Sequence, residues 1–121
     1  MIPGGASIIG GYRFVARRHG WRADAFDAEQ IQAALTEATE LAAGEERDEP
    51  AALFYALARR PEAFPDGWRT MAASLARAHA GRIRARFAPY PGALDSFCTK
   101  VSAGEASYAA VRDWFREMMG R

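Results

Sequence analysis

Cysteine is almost missing from this 121-residue chain, and the single Cys98 excludes an intramolecular disulfide. No Cys/His cluster has zinc-ligand spacing, so the sequence points to a reducing cytoplasm, with Cys98 as a small buried hydrophobe. No apolar run approaches the roughly 20 residues needed to cross a bilayer. The stretch from Met1 to Gly11 also lacks the basic segment and continuous apolar core of a secretory signal. Glycine-rich phosphate loops and dinucleotide fingerprints are missing too, as are strand alternation, internal repeats and low-complexity tracts. A net charge of only +1 gives no whole-molecule argument for nucleic acid, but acids are unevenly spread. They are frequent between Asp24 and Glu49, where Arg47 is the only basic residue, and none occurs from Gly67 to Leu94. Arg69, Arg77, Arg82, Arg84 and Arg86 all fall in that acid-free stretch.

What remains is the composition of an ordinary globular protein, with 50% hydrophobic and 26% charged residues. One domain spanning residues 1–121 is expected, burying roughly 65% of its unfolded surface. Ile8, Tyr12 and Val15 predict a first helix from Ser7 to Arg18, closed by Gly20 behind the basic cluster Arg13, Arg17, Arg18 and His19. Asp27 to Gln30 reads as a capping box, with Gln30 reaching back to Asp27, and Ile31, Leu35, Ala38 and Ala42 then form an apolar stripe that Gly44 ends. Pro50 suits the start of the next helix, and Ala51 to Ala58 is apolar all round, which predicts a buried central helix.

Pro61 and Pro65 interrupt the chain after that helix, and Asp66 is expected to cap the next one. Trp68, Met71, Leu75, His79 and Ile83 recur at three- and four-residue spacing, predicting one amphipathic helix from Gly67 to Phe87, roughly 30 Å long. Gly81 is its weak point. Pro89, Pro91 and Gly92 mark a turn. A short helix follows from Ala93 to Ala103, ended by Gly104, and Ser107 caps a last one with Tyr108, Val111, Phe115 and Met118 facing inward. The fold class is therefore all-α, a compact bundle of five to six helices.

Residues able to do chemistry converge on the loop from Arg60 to Arg69. A helix start that opens on Asp66 and Gly67 directs backbone amides outward, an arrangement suited to phosphate or carboxylate, and Arg69 adds a charged fork. Asp66, Gly67 and Arg69 are accordingly the candidate phosphate- or nucleotide-binding residues. His79 lies between Leu75 and Ile83 on the apolar stripe, which favours a buried, hydrogen-bonded histidine over a general base.

The chain resembles the Doc branch of the Fic/Doc family, small all-helical proteins that include toxins of bacterial toxin–antitoxin pairs. Pro50 to Arg59 looks like the apolar helix before that family's signature loop. Phe64-Pro65-Asp66-Gly67 matches the Phe-x-Asp-Gly centre of its His-Pro-Phe-x-Asp-Gly-Asn-Lys-Arg motif, and Val101 to Ser107 with the Trp114-bearing helix is similar to its C-terminal end. The resemblance implies transfer of a phosphoryl or adenylyl group from a nucleotide such as ATP to a protein hydroxyl, with Asp66 holding Mg²⁺ and an antitoxin as partner.

Three positions depart from the motif. Glu62 stands in place of the histidine that would take the hydroxyl proton, Ala63 in place of the proline and Trp68 in place of the asparagine. A carboxylate with a pKa near about 4.3 is a poor proton acceptor at neutral pH unless burial raises it, so Glu62 is at best a weak catalytic base. The Trp68 indole is positioned to occupy the anion site. These departures predict a degenerate site that acts by binding. The alternatives are a protein–protein interaction module with no nucleotide site and, below it, a nucleic-acid-binding protein using Arg13, Arg17, Arg18 and the arginines from Arg77 to Arg86.

Overall fold

A computed structural model describes residues 1–120, and among these every regular element is helical. Six α-helices run in order: α1 (Gly5–His19), α2 (Ala28–Ala42), α3 (Glu49–Ala58), α4 (Trp68–Arg82), α5 (Ala93–Ser102) and α6 (Tyr108–Met119), with 3-10 turns at Glu46–Asp48 and Pro61–Ala63. The all-α expectation is met.

The apolar α3 is the axis. Pro50, Ala51, Ala52, Leu53, Phe54, Ala56, Leu57 and Ala58 are all buried in it, and α2, α4, α5 and α6 pack around it. Its four alanines let neighbouring helices approach closely on every side, while Phe54 reaches α6 and lies against Phe115 at 5.5 Å between ring centres. On α6 the inward residues are Val111, Phe115 and Met119. Met119 takes the place expected for Met118, because the stripe continues four residues from Phe115 rather than three. Cys98 is buried, as expected. Desolvation pushes its thiol up to about 12, with smaller opposed effects from Arg69 and Asp95, so it stays protonated and inert.

Helix ends follow the caps in the sequence with three corrections, the first being that Gly67 and not Asp66 stands at the N-cap of α4. Asp27 accepts from the amides of Glu29 and Gln30 as predicted, but its own amide donates to the Ala63 carbonyl at 3.0 Å rather than to Gln30. Half of the capping box is thus replaced by a tie to the loop after α3. The third concerns the end of α4, which stops at Arg82 instead of running to Phe87. It passes Gly81 and closes in a Schellman turn, with the amides of Ala85 and Arg84 donating to the carbonyls of Ala80 and Gly81. Arg84 sits at φ 58°, in the left-handed region where glycine normally serves. Beyond it the chain runs extended along α6, with Phe87 stacked on Phe115 at 4.7 Å.

Arg84→Gly should therefore stabilise the fold by about 1 kcal/mol in urea denaturation, because it removes a left-handed non-glycine residue. A loss of stability would show that the Arg84 side chain holds this turn.

Candidate functional site

The loop predicted as the site is anchored by its two most buried residues. Ala63 is tied to the start of α2 through the Asp27 amide, and Phe64 is 1% exposed, stacked on Tyr12 at 5.2 Å. Tyr12 is itself buried on α1, and its hydroxyl donates to the Arg22 carbonyl at 2.6 Å. Burial raises the Tyr12 pKa, with the nearby Asp66 charge adding to the rise, so the phenol remains a hydrogen-bond donor. The motif phenylalanine thus belongs to the core.

Trp21, just beyond the end of α1, decides the character of the loop. A Cβ built on Gly67 would lie 2.2 Å from the Trp21 ring. The indole therefore rests directly on the bare Cα of Gly67, with its other neighbours His19 stacked at 4.6 Å and Tyr12 at 6.3 Å. Gly67 has a negative φ of −152°, outside the left-handed region, so close approach and not a positive φ requires glycine here. Trp68, expected to fill the anion site, instead packs half-buried against the core. The closing indole comes from a different part of the chain.

The predicted site residues take separate partners. Asp66 makes no capping bond to α4, whose N-cap is Gly67; its carboxylate lies 3.4 Å from Arg22 Nε. That exposed pair is worth at most about 1 kcal/mol. Arg69 turns the other way, over the Trp68 ring and 3.6 Å from Asp95. Glu62 is exposed and so lacks the apolar surroundings that turn a carboxylate into a base. Arg60, at the loop entrance, is drawn to Glu37 on α2 at 2.7 Å. The fit to Mg²⁺ and a nucleotide is poor, since Asp66 offers one carboxylate already facing a guanidinium and the Gly67 surface is covered. Among the described residues no group of three metal-ligating side chains converges.

A polar cluster that the sequence did not reveal lies at the start of α3. Asp48 is buried and accepts two bonds from Arg116 on α6, at 2.9 and 2.6 Å. Its neighbour Glu49 accepts from Met1 at 2.9 Å and lies 2.8 Å from His79 Nε2 on α4. His79 is 2% exposed, and its Nδ1 has no hydrogen-bond partner. The expected buried, hydrogen-bonded histidine is present; its partner lies 30 residues away, beyond any local signal. A cleft of about 300 Å³ beside it is lined by Met1, Glu46, His79, Arg82, Ile83 and Arg84.

Compared with known proteins, the chain matches no family model and no curated protein.

Two experiments probe these contacts. Gly67→Ala should cost about 1–3 kcal/mol by forcing a methyl into the indole, and much less in a Trp21→Ala background; an equal cost in both would remove Trp21 as the reason for glycine. For Glu49, burial pushes the pKa up, but hydrogen bonds from the α-amino group and His79, with the attraction of both charges, outweigh it and hold the group below 4.5. A depressed carboxylate contributes stability that is present above its unfolded pKa and lost as pH falls through the folded one. Glu49→Gln should therefore flatten the fall in the urea midpoint below about pH 4.5, and an unchanged acid limb would contradict the assignment.

Proposed function

We propose that this chain is a Doc-like helical protein that acts by binding a protein partner, antitoxin-like in kind, without transferring a phosphoryl or adenylyl group. The observation that carries the reading is the Trp21 indole seated on Gly67, which covers the surface where a nucleotide phosphate would meet the start of α4. The departures at Glu62, Ala63 and Trp68 support the same conclusion, since Glu62 stands in place of the histidine that would take the hydroxyl proton and the loop around it no longer follows the motif. Separation of Asp66 and Arg69 onto different partners supports it further, because neither carboxylate nor guanidinium is held ready for a ligand. A helical scaffold outlives its chemistry readily, as packing of α2, α4, α5 and α6 on α3 makes no demand on the loop's catalytic residues.

Calorimetric titration with ATP and Mg²⁺ tests the catalytic half of this reading. The expected result is no saturable heat with the wild type, Asp66→Ala or Arg69→Ala. A saturable isotherm that Asp66→Ala abolishes would restore the nucleotide site. The binding half predicts a stoichiometric protein partner retained by the Asp66→Ala variant.

A further inference from the structure

The geometry points to a second binding surface, a track of unpaired arginines and exposed aromatic rings along α1, α4 and the strand-like segment after α4, that takes single-stranded nucleic acid. Its basis is the pairing of charges. Arg22, Arg59, Arg60, Arg69, Arg112 and Arg116 each face a carboxylate. Among the described residues, Arg13, Arg17, Arg18, Arg47, Arg77, Arg82, Arg84, Arg86 and Lys100 are exposed and form no ion pair within 4 Å, although Arg82 and Arg84 share a cleft with Glu46. Seven of the nine, all but Arg47 and Lys100, fall in two segments that contain no acid at all, Gly5–His19 and Gly67–Leu94.

The fold places the two segments side by side. Ser7 and Ile8 near the start of α1 share a cleft with Ala78, His79 and Arg82 near the end of α4, while Trp21 beyond the end of α1 lies on Gly67 before α4 begins. The helices therefore run alongside one another in opposite directions. The 15 residues of α4 span roughly 22 Å, so Arg17 and Arg18 lie towards one end, Arg82 and Arg84 at the other, and Arg77 between. The track continues beyond α4, where exposure alternates residue by residue. Arg84, Arg86, Ala88 and Tyr90 face out, while Ala85, Phe87 and Pro89 are turned half inward. Phe87 stacked on Phe115, and the Ala88 amide donating to the Met118 carbonyl, hold this strip on α6.

Aromatic rings select among polyanions. Phe14 is 63% and Tyr90 64% exposed, and both belong to the acid-free segments. The guanidinium of Arg18 lies 5.6 Å from the Phe14 ring centre, one turn away on the same face. Exposed rings interleaved with guanidinium groups serve the stacking of unpaired bases together with contact to their phosphates. An acidic peptide uses the guanidinium groups but leaves the rings idle, and a duplex hides its base faces. A net charge of +1 means that general attraction is weak, so binding depends on this local track.

Fluorescence anisotropy with labelled oligouridylate and oligothymidylate of about twelve nucleotides tests the proposal against a duplex and a polyglutamate peptide of matched length. Single strands should bind at low salt, and more tightly than either control. The double variant Arg84→Gly/Arg86→Ser should reduce the slope of log K against log salt by about 1.4, two single-strand phosphate contacts. Phe14→Ala should weaken binding about tenfold. Arg112→Ser, which removes the same charge from a paired position on α6, should leave affinity within about twofold. Circular dichroism confirms folding of each variant. Absence of single-strand binding, equal binding of the duplex or the peptide, or an equal loss in Arg112→Ser would overturn the proposal. The proposal is independent of the nucleotide titration, because none of its variants lies in the Arg60–Arg69 loop.

Discussion

An aromatic ring pressed against a glycine Cα fixes the geometry of the loop around which this chain is arranged. The contact joins the end of α1 to the start of α4, and it needs both partners: a flat indole at Trp21 and no side chain at Gly67. Several neighbouring features depend on it. Gly20, at φ 72°, turns the chain out of α1 so that Trp21 can fold back. Tyr12 fills the space beneath by stacking on Phe64, and its hydroxyl fastens the Arg22 carbonyl. Arg22 in turn faces Asp66 across the loop. Gly67 and Asp66, which make the loop look like an anion site, are met by Trp21 and Arg22 from the turn after α1.

At the opposite end of the molecule two consecutive acids organise the helices. Asp48 and Glu49 stand where α3 begins, and the positive end of the helix dipole favours carboxylates there. Each is matched by a side chain from a different helix, Asp48 by the Arg116 guanidinium of α6 and Glu49 by His79 Nε2 of α4. Asp48, Glu49 and His79 are largely out of water while Arg116 is about half exposed, so removal of Arg116 leaves the buried Asp48 carboxylate without compensation. The pairs set the register of α4 and α6 against an α3 surface that is otherwise apolar and, with its alanines, smooth. Hydrophobic burial brings those helices together, and the polar pairs select one arrangement among similar ones.

Much of this architecture was legible because its signals are local. Asp27 and Ser107 cap α2 and α6 as their sequence positions announce, Gly20 and Gly104 take left-handed conformations at helix ends, and the unbroken apolar run of α3 marks the centre. The end of α4 was not legible, because Arg84 adopts a conformation that the sequence would reserve for glycine. Nor was the state of the loop. Its location follows from Pro61 and Pro65, but what covers it is set by Trp21, which belongs to a separate turn and carries no motif. The pairing of Glu49 with His79 and the turning of Arg69 towards Asp95 are likewise products of tertiary packing. Acid-free stretches were visible as composition, whereas their alignment along neighbouring helices is a property of the fold.

The central claim is that the surface over Gly67 is closed by an indole and stays closed in the presence of nucleotide. Proton NMR reads this directly, because α-protons lying against an aromatic face are displaced upfield by its ring current. The Gly67 α-protons should appear well upfield of their random-coil position, show cross-relaxation to the Trp21 ring, and remain there when ATP and Mg²⁺ are added. Random-coil shifts, or an upfield shift that collapses on adding ATP and Mg²⁺, would contradict the account.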